Sequence, residues 1–528
     1  MRIAALALAA ALALGACTPA TDARPLPTAT DPASAAPASS PSPDPVPTTL
    51  TWGPTHETWQ QALADARALP LERVAAQVMV VDLASPDPAV ASDLVRRHHV
   101  GGVILMGGSA PSAEAVATLT RAVADADDRD WPVWISTDEE GGSVARLRAA
   151  IPRLPSFMAA GAARDKDAVT AAYRGLGADL RDLGVGIDYA PVADVTIGTT
   201  DPTIRTRSAG DDPERVAETV VAAVEGFVSG GVAPVIKHFP GHGSVTVDSH
   251  TGLPVHGRSV AKLAETDLVP FARAIEAGAP AVMMGHIAVP QWGSGPATLE
   301  PDAYAYLREE MGFEGVAITD ALNMAAVTEG RAPGEVAVEA LAAGADVLVM
   351  PGDIEVAVRA VVRAVERGTL TRERLDEAAA RSIALLRWQD ALDPAPQEDG
   401  YARTLAAAGA TVAARECEGP FVGETVRVTG GSDDAARALA GALESRGVPA
   451  GDGTSGVLLT SGSQTATADV VVSLGGPWGL EASTADAYVA MYGDSRAAIE
   501  ALADVLTGAS APGGDWPVRM GEGLPATC

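Results

Sequence analysis

Residues 237–250 read KHFPGHGSVTVDSH, which gathers three histidines, a lysine and an aspartate into fourteen positions. The stretch follows the apolar run 234–236, and Pro240, Gly241 and Gly243 predict a mobile loop rather than a helix. Polar groups at that density are costly to order at the end of a strand unless they do chemistry. The triplet Asp248-Ser249-His250 carries most of it. A carboxylate two residues from an imidazole can hydrogen-bond the ring, fix its tautomer and raise its basicity, which makes a general acid/base. Such a ring, with an ordinary pKa of about 6.5, releases and recovers a proton near neutral pH.

Asp320 offers a second reactive group, because the segment GVAITDALNM at 315–324 runs an apolar strand into a single carboxylate. Alone, it would read equally well as a loop aspartate or a helix N-cap. Beside a His-Asp loop it completes a pair suited to cleaving a glycosidic bond with retention, with a carboxylate nucleophile on one side and a proton donor on the other.

These groups are far apart in sequence and need a frame to meet. Short apolar runs at 78–83, 102–106, 133–136, 186–190 with Val192, 234–236, 281–284, 316–319 and 347–350 read as strands. Helical patterns separate most of them, for example at 213–229, 262–277 and 334–343. Eight strands alternating with helices fit a (β/α)8 TIM-type barrel, although a doubly wound open sheet has the same local pattern. The polar residues favour the barrel. Asp138, Asp194, Lys237 with His238, His286 and Asp320 each lie just past the apolar run of a strand, the end at which barrels build their sites. The expected catalytic domain is 51–391, followed by a linker at 392–400 and a smaller α/β domain at 401–528. That last domain has no nucleophile elbow or metal-ligand pattern, and its GGPWG turn at 475–479 is too weak a signal for a cofactor site, so an accessory role is expected.

The motifs Asp138-Glu139-Glu140-Gly141-Gly142, Arg207-Ser208, KHFPGHG at 237–243, Asp248-Ser249-His250, Gly285-His286, PATL at 296–299 and TDAL at 319–322 occur in one order along the chain. In these the sequence resembles glycoside hydrolase family 3, and within it the NagZ-like β-N-acetylglucosaminidases. The resemblance implies Asp320 as nucleophile forming a covalent glycosyl-enzyme, His250 as acid/base and Asp248 as its orienting partner. It further implies Asp138, Arg146, Arg207, Lys237 and His238 as sugar-binding residues, and a terminal β-linked N-acetylglucosamine as substrate. Peptidoglycan fragments, chitin oligosaccharides or glycoconjugates would all supply that sugar. Glu139 stands where the family often has Gln, and Ser143 where it often has Arg, which leaves the leaving-group preference open. His242 reads either as a loop stabiliser or as a substrate contact, and His286 as a support for the site.

Composition narrows the rest. With 68 acidic against 38 basic residues the formal charge is −30, which argues against nucleic acid or an anionic membrane surface as a partner. Arg2, the apolar stretch 3–14 and Leu14-Gly15-Ala16-Cys17 resemble a bacterial lipoprotein signal at 1–17, with Cys17 lipidated. The Pro/Ala/Ser/Thr-rich segment 18–50 then reads as a tether. The expectation is an exported monomer, anchored by lipid to the outer face of the cell membrane. Cys417 and Cys528 either pair as a disulfide or remain two buried thiols. No cofactor or metal is expected, since Pro240 and the nearby Gly241 and Gly243 prevent the helix that would align His238 and His242 as ligands, and HExxH is absent. A family 3 phosphorylase or β-glucosidase and a non-catalytic sugar-binding lipoprotein are the competing readings.

Overall fold

The computed structural model describes residues 48–396 and 399–528. The expected signal, the lipidation site Cys17 and nearly all of the tether lie outside the described residues. The folded body is already in place at Thr48, ahead of the boundary expected at 51, since Thr49 bridges Thr55 and Leu50 packs on the core. Among the described residues no helix is long and apolar enough to cross a membrane.

Eight parallel strands form the barrel: β1 (Met79–Leu83), β2 (Gly102–Leu105), β3 (Trp134–Thr137), β4 (Ile187–Asp188), β5 (Ala233–Phe239), β6 (Ala281–Met284), β7 (Val316–Thr319) and β8 (Leu348–Val349). From β1 to β7 each strand pairs with the next, and β8 pairs with β1. The ring closes through a parallel bridge between Ile318 and Val347, where the Thr319 N–H donates to the Val347 carbonyl at 3.0 Å. The strands are buried almost throughout because they pack against side chains inside the ring and helices outside it. At the seam, the Asp346 carboxylate takes the Ala317 N–H at 2.9 Å and Arg308 and Arg374 at 2.7 Å each, with Arg381 at 3.4 Å. Burial would raise this carboxyl, but the three guanidinium groups outweigh it and hold it ionised.

The helices begin where the sequence supplies caps. Asp87, Ser112, Asp165, Asp212 and Asp353 each accept a backbone N–H from the first turn of the helix they open. Two expectations need correction. The helix read at 262–277 is two pieces, Val260–Ala264 and Val269–Glu276. Pro270 has no N–H to give back to the preceding turn, so the helix restarts there. The loop expected from Lys237 also starts later, since β5 continues through Lys237, His238 and Phe239.

Beyond the linker, helix Tyr401–Gly409 leads into a five-stranded sheet. Four of its strands, Val426–Gly430, Ser455–Thr460, Val470–Ser473 and Ala487–Ala490, are parallel neighbours, and Thr411–Ala414 adds to one edge antiparallel. This domain sits on the barrel through a shared apolar cluster in which Met158, Ala159 and Ala162 meet Val471, Leu480, Tyr488 and Tyr492. Cys417 and Cys528 are bonded, which ties the last residue to the loop after Thr411–Ala414.

Candidate active site

The carboxyl ends of the barrel strands surround a cavity of about 310 Å³. Its walls include Asp138, Arg146, Arg207, Lys237, His238, His250 and Asp320, so one space gathers every residue expected to bind or react except Asp248. Asp248 stands behind His250. Its Oδ1 takes the His250 backbone N–H at 2.9 Å and meets ring Nδ1 at 2.7 Å. Burial would raise the Asp248 carboxyl, but the His250 N–H and ring hold it below its ordinary value. With Nδ1 committed to Asp248, Nε2 is the nitrogen able to pass a proton.

Asp320 follows the last residue of β7, and its N–H donates to the Met284 carbonyl at 3.0 Å, which fixes its backbone against β6. Its Oδ1 accepts the Ala321 N–H at 2.7 Å, while the Ala321 carbonyl meets His286 Nε2 at 2.9 Å. The other His286 nitrogen meets Thr298 Oγ1 at 2.7 Å, so His286 braces the peptide beside Asp320 and stays out of the cavity. Burial pushes the Asp320 carboxyl up, but His286, His238, the Ala321 N–H and Lys237 outweigh it and hold it at about 2. The group is therefore a carboxylate over the whole neutral range.

The floor is a buried charge lattice. Lys237 Nζ lies 2.7 Å from Asp138 Oδ1 and 2.6 Å from Glu140 Oε1. Arg207 grips Glu140 with both arms, Nε on Oε2 and Nη2 on Oε1, each at 2.8 Å. Burial would neutralise these groups, but each carboxylate faces cations, so Glu140 is held well below its ordinary value and Lys237 is held above its own. His238 is fixed from behind by Asp194 at 2.7 Å, the same carboxylate that accepts the His242 N–H at 2.6 Å. Glu140 and Asp194 had no assigned roles in the sequence reading. The signal for Glu140 was the two-residue period of an extended segment, which turns Asp138 and Glu140 to one side and Glu139 to the other.

Some hydrogen-bonding capacity in this space is unspent. Arg146 Nε, Thr203 Oγ1 and His242 Nδ1 are buried without a partner, and all three residues line the cavity. A hydroxyl-rich ligand would satisfy such groups. Of the two departures from the family pattern, Glu139 is buried under the floor, where Oε2 accepts the Leu147 N–H at 2.7 Å. Ser143 is exposed at the tip of the hairpin formed by Glu139–Gly141 and Val144–Ala145, on a cleft shared with the C-terminal domain. Among the described residues, no three histidine, cysteine or carboxylate side chains are grouped to hold a metal ion.

Comparison with known proteins agrees with this geometry. The sequence pattern of the glycosyl hydrolase family 3 N terminal domain matches residues 71–385. Beta-hexosaminidase A of Pseudoalteromonas piscicida is 32% identical over 330 residues, 56% of this chain and 55% of that protein, so the chain spans about half of that relative's length. Beta-hexosaminidase LpqI of Mycobacterium tuberculosis is 35% identical over 316 residues, 58% of this chain and 80% of its own. A solved structure, a family 3 beta-N-acetylglucosaminidase from Paenibacillus sp. str. FPU-7, superposes with a TM-score of 0.74 at 28% identity, covering 86% of this chain and 99% of that one.

Proposed function

The chain belongs to glycosyl hydrolase family 3, and from that premise we propose that it is a retaining, exo-acting β-N-acetylglucosaminidase that removes a terminal β-linked N-acetylglucosamine. One observation carries the reading: a half-buried, ionised Asp320 shares a cavity with His250, whose far nitrogen is held by Asp248. The choice of sugar is supported by the name of the Paenibacillus structure, a beta-N-acetylglucosaminidase, and by the broader name beta-hexosaminidase of the two curated relatives.

In the first step Asp320 attacks the anomeric carbon through an oxocarbenium-like transition state, while His250 Nε2 gives its proton to the departing oxygen. Asp248 stabilises the imidazolium beforehand and orients the ring throughout. The glycosyl-enzyme ester on Asp320 then breaks as His250, now a base, takes a proton from water, and the sugar leaves with its configuration retained. Lys237, Asp138, Arg207, His238 and Arg146 hold the sugar hydroxyls. Because the floor charges are mutually compensated before substrate arrives, little reorganisation is needed at the moment of reaction. The Leu14-Gly15-Ala16-Cys17 motif supports export and lipid attachment at Cys17, which would place the enzyme outside the cell membrane, where cell-wall fragments are available.

The test is release of an aryl alcohol from an aryl β-N-acetylglucosaminide. Wild type should turn over, and Asp320→Asn should lose about 10⁴-fold or more in kcat. Activity on this substrate that survives in Asp320→Asn, or wild-type activity confined to a β-glucoside or dependent on phosphate, would overturn the reading.

A further inference from the structure

We propose that His242 and Ser249 form a latch that positions His250, an inference that rests on the assignment of His250 as proton donor. Ser249 stands between the two members of the acid/base dyad and is the buried one of the three. It is 2% exposed, whereas the Asp248 and His250 side chains are 35% and 64% exposed. Its hydroxyl meets His242 Nε2 at 2.9 Å. Asp248 and His250 bond to each other, so among the described residues the Ser249 hydroxyl is the triplet's one side-chain hydrogen bond to the buried body.

The His242 end of the latch is itself fixed. Its backbone N–H donates to Asp194 Oδ1, and its ring lies edge-on to His238 with centroids 5.9 Å apart. The next residue, Gly243, passes so close to the chain after β4 that a Cβ there would meet the Val195 carbonyl oxygen at 2.5 Å. A connected series thus runs from His238 on the floor through Asp194 and His242 to Ser249. It couples the placement of the sugar to the placement of the proton donor. Burial pulls the His242 ring down to about 4, so Ser249 faces an uncharged partner throughout the range in which a histidine donor works. Both residues line the cavity, and their positioning role comes from connectivity: Ser249 is joined through the backbone to both members of the dyad, and His242 is fixed to the floor through Asp194.

The experiment compares two substrates that differ in their need for a proton: a 2,4-dinitrophenyl β-N-acetylglucosaminide, whose leaving group departs unaided, and N,N′-diacetylchitobiose, whose leaving group does not. Ser249→Ala should lower kcat/KM, which reports the bond-breaking first step, by about 10–100-fold on the disaccharide, the scale of an ångström-sized misplacement, and leave kcat/KM on the dinitrophenyl substrate within about threefold. Ser249→Thr, which keeps the hydroxyl, should recover most of the loss, as a purely steric role would not. Equal losses of kcat/KM on both substrates, or no loss on either, would refute the latch. His250→Ala, run alongside, should show the same selectivity at about 10²–10⁴-fold. If His250→Ala shows no selectivity the donor assignment itself falls, and if only Ser249→Ala lacks it the latch alone falls.

Discussion

Replacing Glu139 with Gln should stabilise the protein in alkaline solution and change little in acid. Glu139 is 1% exposed beneath the site, and burial pushes its carboxyl up to about 7 from an ordinary 4.5. The Leu147 and Arg146 N–H groups and Arg148 pull the other way but do not outweigh burial, and Asp138 adds to the push. A carboxyl raised on folding is held more tightly protonated in the native state. Its contribution to stability is complete below about pH 4.5 and is lost as the pH climbs through about 7. Ionising it in place costs about 3 kcal/mol, at about 1.4 kcal/mol for each tenfold in the proton equilibrium. Gln has the same shape, cannot ionise and can still accept the Leu147 N–H. Asp188, which accepts the Glu139 N–H at 2.8 Å, is pushed up by burial and further by the Glu139 charge, so Gln at 139 relieves it too and acts in the same direction. Urea unfolding of both proteins at about pH 4.5 and about pH 8.5 reads the effect. The gap between them should widen by about 3 kcal/mol in favour of Gln at the higher pH. A gap that stays constant with pH, or a wild type that is no less stable in alkali, would refute the reasoning.

Two further expectations concern the C-terminal domain. Cys417→Ser opens a cross-link spanning 111 residues and should cost about 2–4 kcal/mol of unfolding free energy, measured by denaturant titration, while kcat stays unchanged. Trp478 lies under the Arg205 guanidinium at 5.3 Å and so braces the turn that carries Arg207 into the cavity. Trp478→Ala should therefore lower kcat/KM by about 2–10-fold, the equivalent of one cation–π contact, and Trp478→Phe should retain most of it.

The barrel was legible because each strand is a short apolar run and each connection is punctuated by caps, glycines and prolines. Of the candidate residues, Asp138, Lys237, His238 and Asp320 were legible because they follow those runs directly, and Asp248 and His250 because their loop is dense in polar groups. What escaped was non-local. Lys237 and His238 appeared to end their strand because charge broke the apolar pattern. Folding compensates that charge with Asp138 and Glu140 after β3 and with Asp194 after β4, neighbours that the sequence around Lys237 does not reveal. Asp346 was unremarked for the same reason, since its three arginines come from Arg308 and a later helix. The break at Pro270, by contrast, was written in the sequence, and the amphipathic pattern on either side masked it.

The seam between β7 and β8 bears on how the chain is made. A growing chain that has reached Met350 already contains all eight strands and every residue of the cavity. Yet two of the three cations on Asp346, Arg374 and Arg381, have still to be synthesised. Until they arrive, closing the ring would bury an under-compensated carboxylate, at a cost of several kcal/mol. The helix Arg372–Asp390 thus works as a clasp that is made only after the ring it closes. On this reasoning the ring closes only after translation has passed well beyond the last residue of the cavity.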